Sequence, residues 1–316
     1  MRARLTVLTI AVAAALLVGW AARASDPKAG GLIAFSREGN IYIYDIGSSE
    51  ERQLTHNGVS EGEAGTTHGC PTIIDENTVA FLSWEADANG MISSRTLNGA
   101  DIAGGSEYTS ADVAQDPVGL GWVPDDEKLY YLKITGNVAQ DGDPFGAQLT
   151  LFCVEGEARA TRTKVKTWYG GVSLTSCRIR QSSDGKYVSV PRFPTDVSDY
   201  YGLHRASDGK AVDVLKEEWL GADYVTGLDF AGDTVYANIA SLGEDAPLIA
   251  GFYFVDVENK DPGLLVQLDD PRGLAVSAAQ DFAVLGNMDG ELKLIELNTR
   301  HVKDLCKGED PDIYPR

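Results

Sequence analysis

Asp310-Pro311-Asp312-Ile313-Tyr314-Pro315-Arg316, the last segment of the chain, has the form of a first strand without a second. Leu32-Ile33-Ala34-Phe35, near the other end, has the form of a second strand without a first. Between them one pattern recurs: an apolar run, a tight polar turn, another apolar run, a loop, then two more strands. The clearest copies are Asn40-Ile41-Tyr42-Ile43-Tyr44-Asp45-Ile46 and Glu291-Leu292-Lys293-Leu294-Ile295-Glu296-Leu297, which align without a gap through to Gln53-Leu54-Thr55 and Asp304-Leu305-Cys306. Repetition every ~40–50 residues, each unit made of strands, is the signature of a propeller of four-stranded blades. A tail that supplies a strand to the first blade closes such a ring and protects its edges.

First-strand segments recur at Pro71–Ile74, Leu120–Asp126, Cys177–Gly185, Gly227–Phe230, Gly273–Ser277 and Pro311–Pro315. The first five lead through tight turns into Val79–Phe81, Leu129–Tyr131, Tyr187–Ser189, Val235–Ala237 and Phe282–Val284, and the sixth finds its partner only by wrapping round to Leu32–Phe35. The expected fold is therefore all-β: a six-bladed propeller of four-stranded antiparallel blades, closed by the C-terminal strand pairing into the first blade. Pro124-Asp125-Asp126 and Ser183-Asp184-Gly185 place Pro, Asp and Gly where a reversal needs a preset or positive φ.

With a formal charge of −20 over 316 residues and 43% hydrophobic residues, the chain has the composition of a folded, acidic protein. Such a surface repels nucleic-acid phosphates and anionic lipid, so nucleic acid is excluded and partners should be basic or neutral. An acidic surface that merely keeps the protein soluble is the competing reading. Arg2 and Arg4 precede an apolar run from Leu5 to Ala22, and Ala22-Arg23-Ala24 follows. That order reads as a signal peptide over residues 1–24, with a single propeller domain over 25–316. An uncleaved membrane anchor is the rival reading. Either way the propeller is expected outside the cytoplasm, periplasmic or extracellular, and monomeric. Cys70, Cys153, Cys177 and Cys306 fit an oxidising compartment and form no C-x-x-C pair. Cys70 and Cys306 flank the first blade, where a disulfide between them would lock the ring; free, buried thiols are the alternative.

Leu32-Ile33-Ala34-Phe35, Asn40-Ile41-Tyr42-Ile43-Tyr44-Asp45 and Leu54-Thr55-His56-Asn57-Gly58 together resemble the TolB-type propeller repeat. Val123-Pro124-Asp125-Asp126 and Ser182-Ser183-Asp184-Gly185 resemble degraded forms of its first turn. The resemblance implies a non-enzymatic envelope propeller that binds other proteins. It departs from TolB in one respect: TolB carries an α/β domain before its propeller, and here only a few residues separate the signal peptide from the first strand. The repeat is shared with the propellers of prolyl-oligopeptidase-like hydrolases, but no hydrolase domain follows the ring.

In a blade of alternating strands, second-to-third loops and blade-to-blade connections emerge together on one face. Nearly all long segments fall there, which marks it as the binding face. Its candidate contact residues are Trp84, Glu85, Asp87, Asp141, Asp143, Phe145, Asp199, Tyr200, Tyr201, Glu244 and Asp245: an acidic rim with aromatic groups of the kind enriched at interfaces. No catalytic residue, cofactor or metal site is expected. Asp141-Gly142-Asp143 faintly resembles a calcium loop but lacks the later ligands. His56 and His68 share one connection and read as loop histidines. The expected function is binding of an envelope or extracellular protein or peptide. The alternative is a carbohydrate lyase, hydrolase or peptidase-like enzyme with a site at the central channel.

Overall fold

The fold is given by a computed structural model, which describes residues 31–60, 63–89, 92–103, 107–109, 117–123, 128–137, 147–155, 161–170, 178–191, 201–215, 223–241, 246–277, 281–287 and 289–314. Among these there is no helix. The strands form six four-stranded antiparallel sheets. Blade 1 contains β1 (Leu32–Arg37), β2 (Asn40–Asp45) and β3 (Glu50–Gln53). Blade 2 follows with β4 (Gly65–Asp75), β5 (Thr78–Ala86), β6 (Ile92–Asp101) and β7 (Glu107–Thr109). Blade 3 is β8 (Pro117–Val123), β9 (Lys128–Asn137), β10 (Ala147–Glu155) and β11 (Thr161–Gly170). Blade 4 is β12 (Arg180–Gln181), β13 (Tyr187–Pro191), β14 (Tyr201–Arg205) and β15 (Ala211–Val212). Blade 5 is β16 (Asp223–Ala231), β17 (Thr234–Ser241), β18 (Gly251–Asp256) and β19 (Asp261–Gln267). Blade 6 is β20 (Pro271–Ser277), β21 (Phe282–Asn287), β22 (Glu291–Glu296) and β23 (Val302–Lys307). The last strand, β24 (Glu309–Tyr314), returns to blade 1 as its inner strand.

Six first strands and six second strands thus stand where the repeat placed them. Closure follows the expected pairing, with Leu32 opposite Tyr314, Ile33 opposite Ile313 and Ala34 opposite Asp312. Gly308 alone joins β23 to β24, and a Cβ there would fall 2.2 Å from the Phe35 ring. Ile313 is fully buried, packed with Ile33 and Phe35 of blade 1 and with Ala275, Val284 and Leu294 of blade 6. Burying one such aliphatic side chain is worth roughly 1.5–3 kcal/mol, so the tail contributes through both its ladder and its core contacts.

The cores lie between blades rather than within one. Ala34, Ile41 and Ile43 pack on Ile73, Val79 and Phe81 of blade 2. Leu82 and Leu97 pack on Leu120 and Tyr131 of blade 3. Tyr201 and Leu203 meet Val225 and Ile239 of blade 5, and Phe252 meets Leu274 and Val276 of blade 6. A blade alone buries neither face, which is why the units require the ring. Inner strands contact one another in the cyclic order β24, β4, β8, β12, β16, β20 and back to β24.

The possible Cys70–Cys306 bridge does not form, and the alternative of free thiols holds for Cys306 but not for Cys70. Cys70 is disulfide-bonded, whereas Cys306 is a free thiol. Cys70 packs between blades 2 and 3, while Cys306 packs between blades 6 and 1, so all of blade 1 separates them. Burial, and then the charge of Glu51, pushes the Cys306 thiol up to about 12, which keeps it protonated and unreactive.

Candidate binding face and channel

The strand bounds fix which face carries the long segments. Second-to-third links cover residues 87–91, 138–146, 192–200 and 242–250 in blades 2 to 5, and the blade-to-blade links 54–64, 110–116, 171–179 and 213–222 join them. The opposite face has only short turns, such as Glu76-Asn77 and Gly232-Asp233. One refinement comes with the ring in view: over blades 6 and 1 the long face is low as well. There the links shrink to residues 38–39, 268–270, 288–290 and Gly308. The long links thus belong to blades 2 to 5, and blades 6 and 1 keep short ones, which leaves a gap on this face.

Of the expected contact residues, Asp141, Asp143, Phe145, Asp199, Tyr200, Glu244 and Asp245 lie outside the described residues. Glu85 ends β5 exposed, accepting a hydrogen bond from Thr66 Oγ1 at 2.5 Å, and Asp87 is exposed beyond it, accepting from the Asn89 N–H. Trp84 is half-buried against the core between blades 2 and 3, its indole lying where a side chain on Gly69 would stand. Tyr201 is 3% exposed in the core between blades 4 and 5 and is not a surface group. Alternation along the strand explains both aromatics: Trp84, near the end of β5, and Tyr201, at the start of β14, turn their rings to a neighbouring blade.

The gap holds a feature that strand counting missed. A cavity of about 830 Å3 opens between blades 5 and 6, lined by Leu268, Asp269, Asp270, Asp289, Glu291 and Lys293 among others. Lys293 Nζ is already held by Asp304 at 2.6 Å and Asp270 lies 3.9 Å from Arg272 Nε, so Asp269, Asp289 and Glu291 set the sign of the groove. Asn287 shapes its lip, its Oδ1 accepting from the N–H groups of Asp289 at 3.1 Å and Glu291 at 2.9 Å. Phe254 and Leu264, on the outer strands of blade 5, are 43% and 37% exposed. Asp269-Asp270 and Asp289 were visible in sequence, but nothing local says that the two short links lie side by side.

The ring axis is occupied. Arg178, which bridges to Leu120 of blade 3, donates to the carbonyls of Leu274 in blade 6 at 2.9 Å and Asp310 in blade 1 at 3.1 Å. Arg180 Nη2 donates to Asp312 Oδ1 at 2.7 Å, and its Nε lies 3.3 Å from Asp229 Oδ1. Each aspartate also reaches the next blade: Asp312 Oδ2 accepts from the Ile73 N–H at 2.7 Å, and Asp229 Oδ2 from the Val276 N–H at 2.8 Å. Burial lowers both guanidinium groups, Arg178 to about 9, and for Arg178 the charge of Arg180 adds to the effect. It remains a cation at neutral pH. Two cations and two anions balance, so the axis carries no net charge at this level and its groups are committed to holding blades together.

A second buried polar cluster sits at the top of the interface between blades 1 and 2. Ser83 Oγ lies 2.7 Å from His68 Nδ1, and His68 Nε2 lies 2.9 Å from Asn57 Oδ1. His68 belongs to β4 and is 4% exposed, not a loop histidine as its neighbourhood in sequence suggested. Ser83 is 5% exposed, so the serine–histidine–asparagine chain offers a substrate no approach. Among the described residues no group of three or more His, Cys, Asp or Glu side chains could hold a metal ion.

No protein-family model and no curated protein is similar to the sequence. Solved structures are. TolB from Acinetobacter baumannii superposes with a TM-score of 0.61 at 13% identity, over 92% of this chain and 68% of that one. A protein of Agrobacterium tumefaciens assigned as TolB gives 0.55 at 14% identity, over 90% and 97%. The fold is that of a TolB-like six-bladed propeller. Enzyme propellers are similar at lower scores, such as the oligogalacturonate lyase of Vibrio parahaemolyticus at 0.48 with 14% identity over 88% and 74%, and carry no argument about activity.

Proposed function

We propose that this is an exported, non-enzymatic propeller that binds a protein or peptide of basic or neutral character on the face carrying the long links. One observation carries the reading: the long second-to-third links and blade connections start and end on one face, while the strand bounds leave only short links on the other. Closing a blade needs no such lengths, so the extra chain serves something other than the fold. The gap over blades 6 and 1 admits an extended segment, and the groove with Asp269, Asp289 and Glu291 suits its cationic side chains. The alternative, an enzyme with a site in the channel, has less support, because the axis at the level of Asp312 is filled by Arg178 and Arg180. Residues 1–24 act as the export signal in this reading, with Ser25 as the mature N-terminus.

The test is capture of envelope proteins on the mature chain, followed by titration of the captured segment against Asp289→Lys/Glu291→Lys. Binding that is present in the parent, weakens with added salt and falls at least about tenfold in the double variant supports the reading. Turnover of an oligosaccharide or peptide with no captured partner overturns it.

A further inference from the structure

We propose that His68 is an acid-sensitive latch that holds the connecting segment Leu54–Ser60 against blade 2, so that mild acid loosens this part of the long-link face. The hydrogen-bond chain fixes the state of the ring. Asn57 Oδ1 can only accept, so Nε2 carries the proton and donates to it at 2.9 Å. Nδ1 of the neutral imidazole is then the acceptor for the Ser83 hydroxyl at 2.7 Å. Asn98 Nδ2 donates to the same Ser83 oxygen at 2.5 Å, which leaves the hydroxyl proton turned to the ring. A second proton on Nδ1 would make the ring donate where it now accepts, so the Ser83 hydroxyl would have to turn its own proton away, and a charge would appear at a site 4% exposed. Phe81 closes the site from below, edge-on at 5.4 Å.

Leu54 is fixed in the core between blades 1 and 2 and Thr55 is buried beside it; beyond them the segment that Asn57 belongs to is pinned by polar bonds. Val59 N donates to Thr66 O at 2.8 Å, Thr67 Oγ1 donates to Val59 O at 3.0 Å, and Asn40 Oδ1 accepts from the Gly58 N–H at 3.0 Å. Protonation leaves the Nε2–H donor to Asn57 in place, so the drive to open is hydration of the buried charge, reached when this segment lifts from blade 2. The charged and titratable groups on the elements packed around the ring are Glu38 at the β1–β2 turn, His56 and Glu63 on the connection, Glu85 on β5 and Arg95 on β6. Burial holds the imidazole below its ordinary value, and the charge of Glu85 only partly offsets this. The neutral ring therefore belongs to the closed segment and the protonated ring to the loosened one. The closed state is fully favoured above the free imidazole value of ~6.5, and its advantage falls about tenfold per unit of pH below that, down to the lowered value. The latch stands on this geometry alone; only its consequence for partner binding rests on the proposed function.

Hydrogen exchange on the intact protein without a partner separates the two questions. After correction for intrinsic rates, amides of Leu54–Ser60 should exchange progressively faster as pH falls below about 6.5, by up to about tenfold per unit until the lowered value is reached, while β16 and β17 hold steady. His68→Gln, which does not titrate, should flatten that response. A segment whose protection ignores pH in the parent, or responds equally in the variant, overturns the proposal. Should His68→Gln fail to fold, nitrogen NMR of the parent decides: a neutral Nε2–H ring titrating below ~6.5 supports the latch, and one titrating at or above that value overturns it.

Discussion

Blades 6 and 1, which meet at the seam, and blades 2 to 5 opposite them obey different constraints. At the seam the links are as short as strand geometry allows, down to Gly308 between β23 and β24 and Glu38-Gly39 between β1 and β2. The two copies of the repeat that align without a gap are these two blades. Across the ring the links lengthen, and blade 4 keeps an inner strand of two residues, Arg180–Gln181. What blade 4 lacks in ladder it supplies in charge: Arg178 and Arg180 reach over the axis to the carbonyl of Asp310 and the carboxylate of Asp312, on the strand that closes the ring. Regular blades hold the seam by backbone pairing, and the irregular blade holds it by buried ion pairs.

If the seam depends on its last strand, the largest effect comes from removing it. Deleting residues 309–316 leaves β1 without its inner partner and exposes Ile33 and Phe35. The loss should reach several kcal/mol, comparable with the stability of a typical domain. Size-exclusion chromatography and limited proteolysis should show aggregation or cleavage. A truncated chain with the parent's melting temperature would mean that closure is not what holds this sector.

Next in size is the link between the two regions. Asp312→Ala leaves Arg180 short of one carboxylate and the Ile73 N–H without its acceptor, both buried. Breaking a buried pair from one side costs about 3–5 kcal/mol, read by urea unfolding. Asp312→Asn keeps an acceptor for the N–H and should recover part of that loss. Equal losses in both variants would show that charge dominates over hydrogen bonding at the axis. A smaller change, Gly39→Ala, tests the short links themselves. Gly39 has φ of 72°, and a Cβ there would lie 1.9 Å from the Val59 carbonyl oxygen, a backbone atom that cannot swing aside. The expected cost is about 1–3 kcal/mol, with faster exchange in the connection that carries Val59.

The contrast also explains what could be read in advance. All six inner strands and the wrap from Pro311 back to Leu32 were legible, because each blade repeats one local pattern and period-2 alternation survives in Ile41-Tyr42-Ile43-Tyr44. The axis was not. Arg180 and Asp312 are separated by 132 positions, and each reads as an ordinary charge beside a strand until six inner strands converge. His68 was placed in a loop because β4 starts earlier than its apolar run does, at Gly65 rather than near Pro71. The Cys70–Cys306 bridge fails for a related reason: both cysteines lie within strands, β4 and β23, and these face different interblade cores.

The smallest expected effect concerns a trace of the repeat's first turn in blade 4, Ser183-Asp184-Gly185 on the short-link face. Gly185 has φ of 68°, and Asp184 Oδ1 accepts from Ser182 Oγ at 2.7 Å and from the Lys186 N–H at 3.0 Å. The slight burial of Asp184 works upward on its carboxyl. The Lys186 ammonium at 2.6 Å, its N–H and the Ser182 hydroxyl outweigh that and lower the group to about 2. A carboxylate lowered on folding stabilises the protein fully above its free value of ~3.9, and the contribution fades as pH falls from there towards the folded value. Lys186 is 69% exposed, so screening by solvent discounts the pair heavily. Asp184→Ala should therefore lower the melting temperature slightly at pH ~7 and lose its difference from the parent below pH ~2. A cost as large as that of Asp312→Ala would place blade 4's turn, not its arginines, at the centre of what holds the irregular half of the ring.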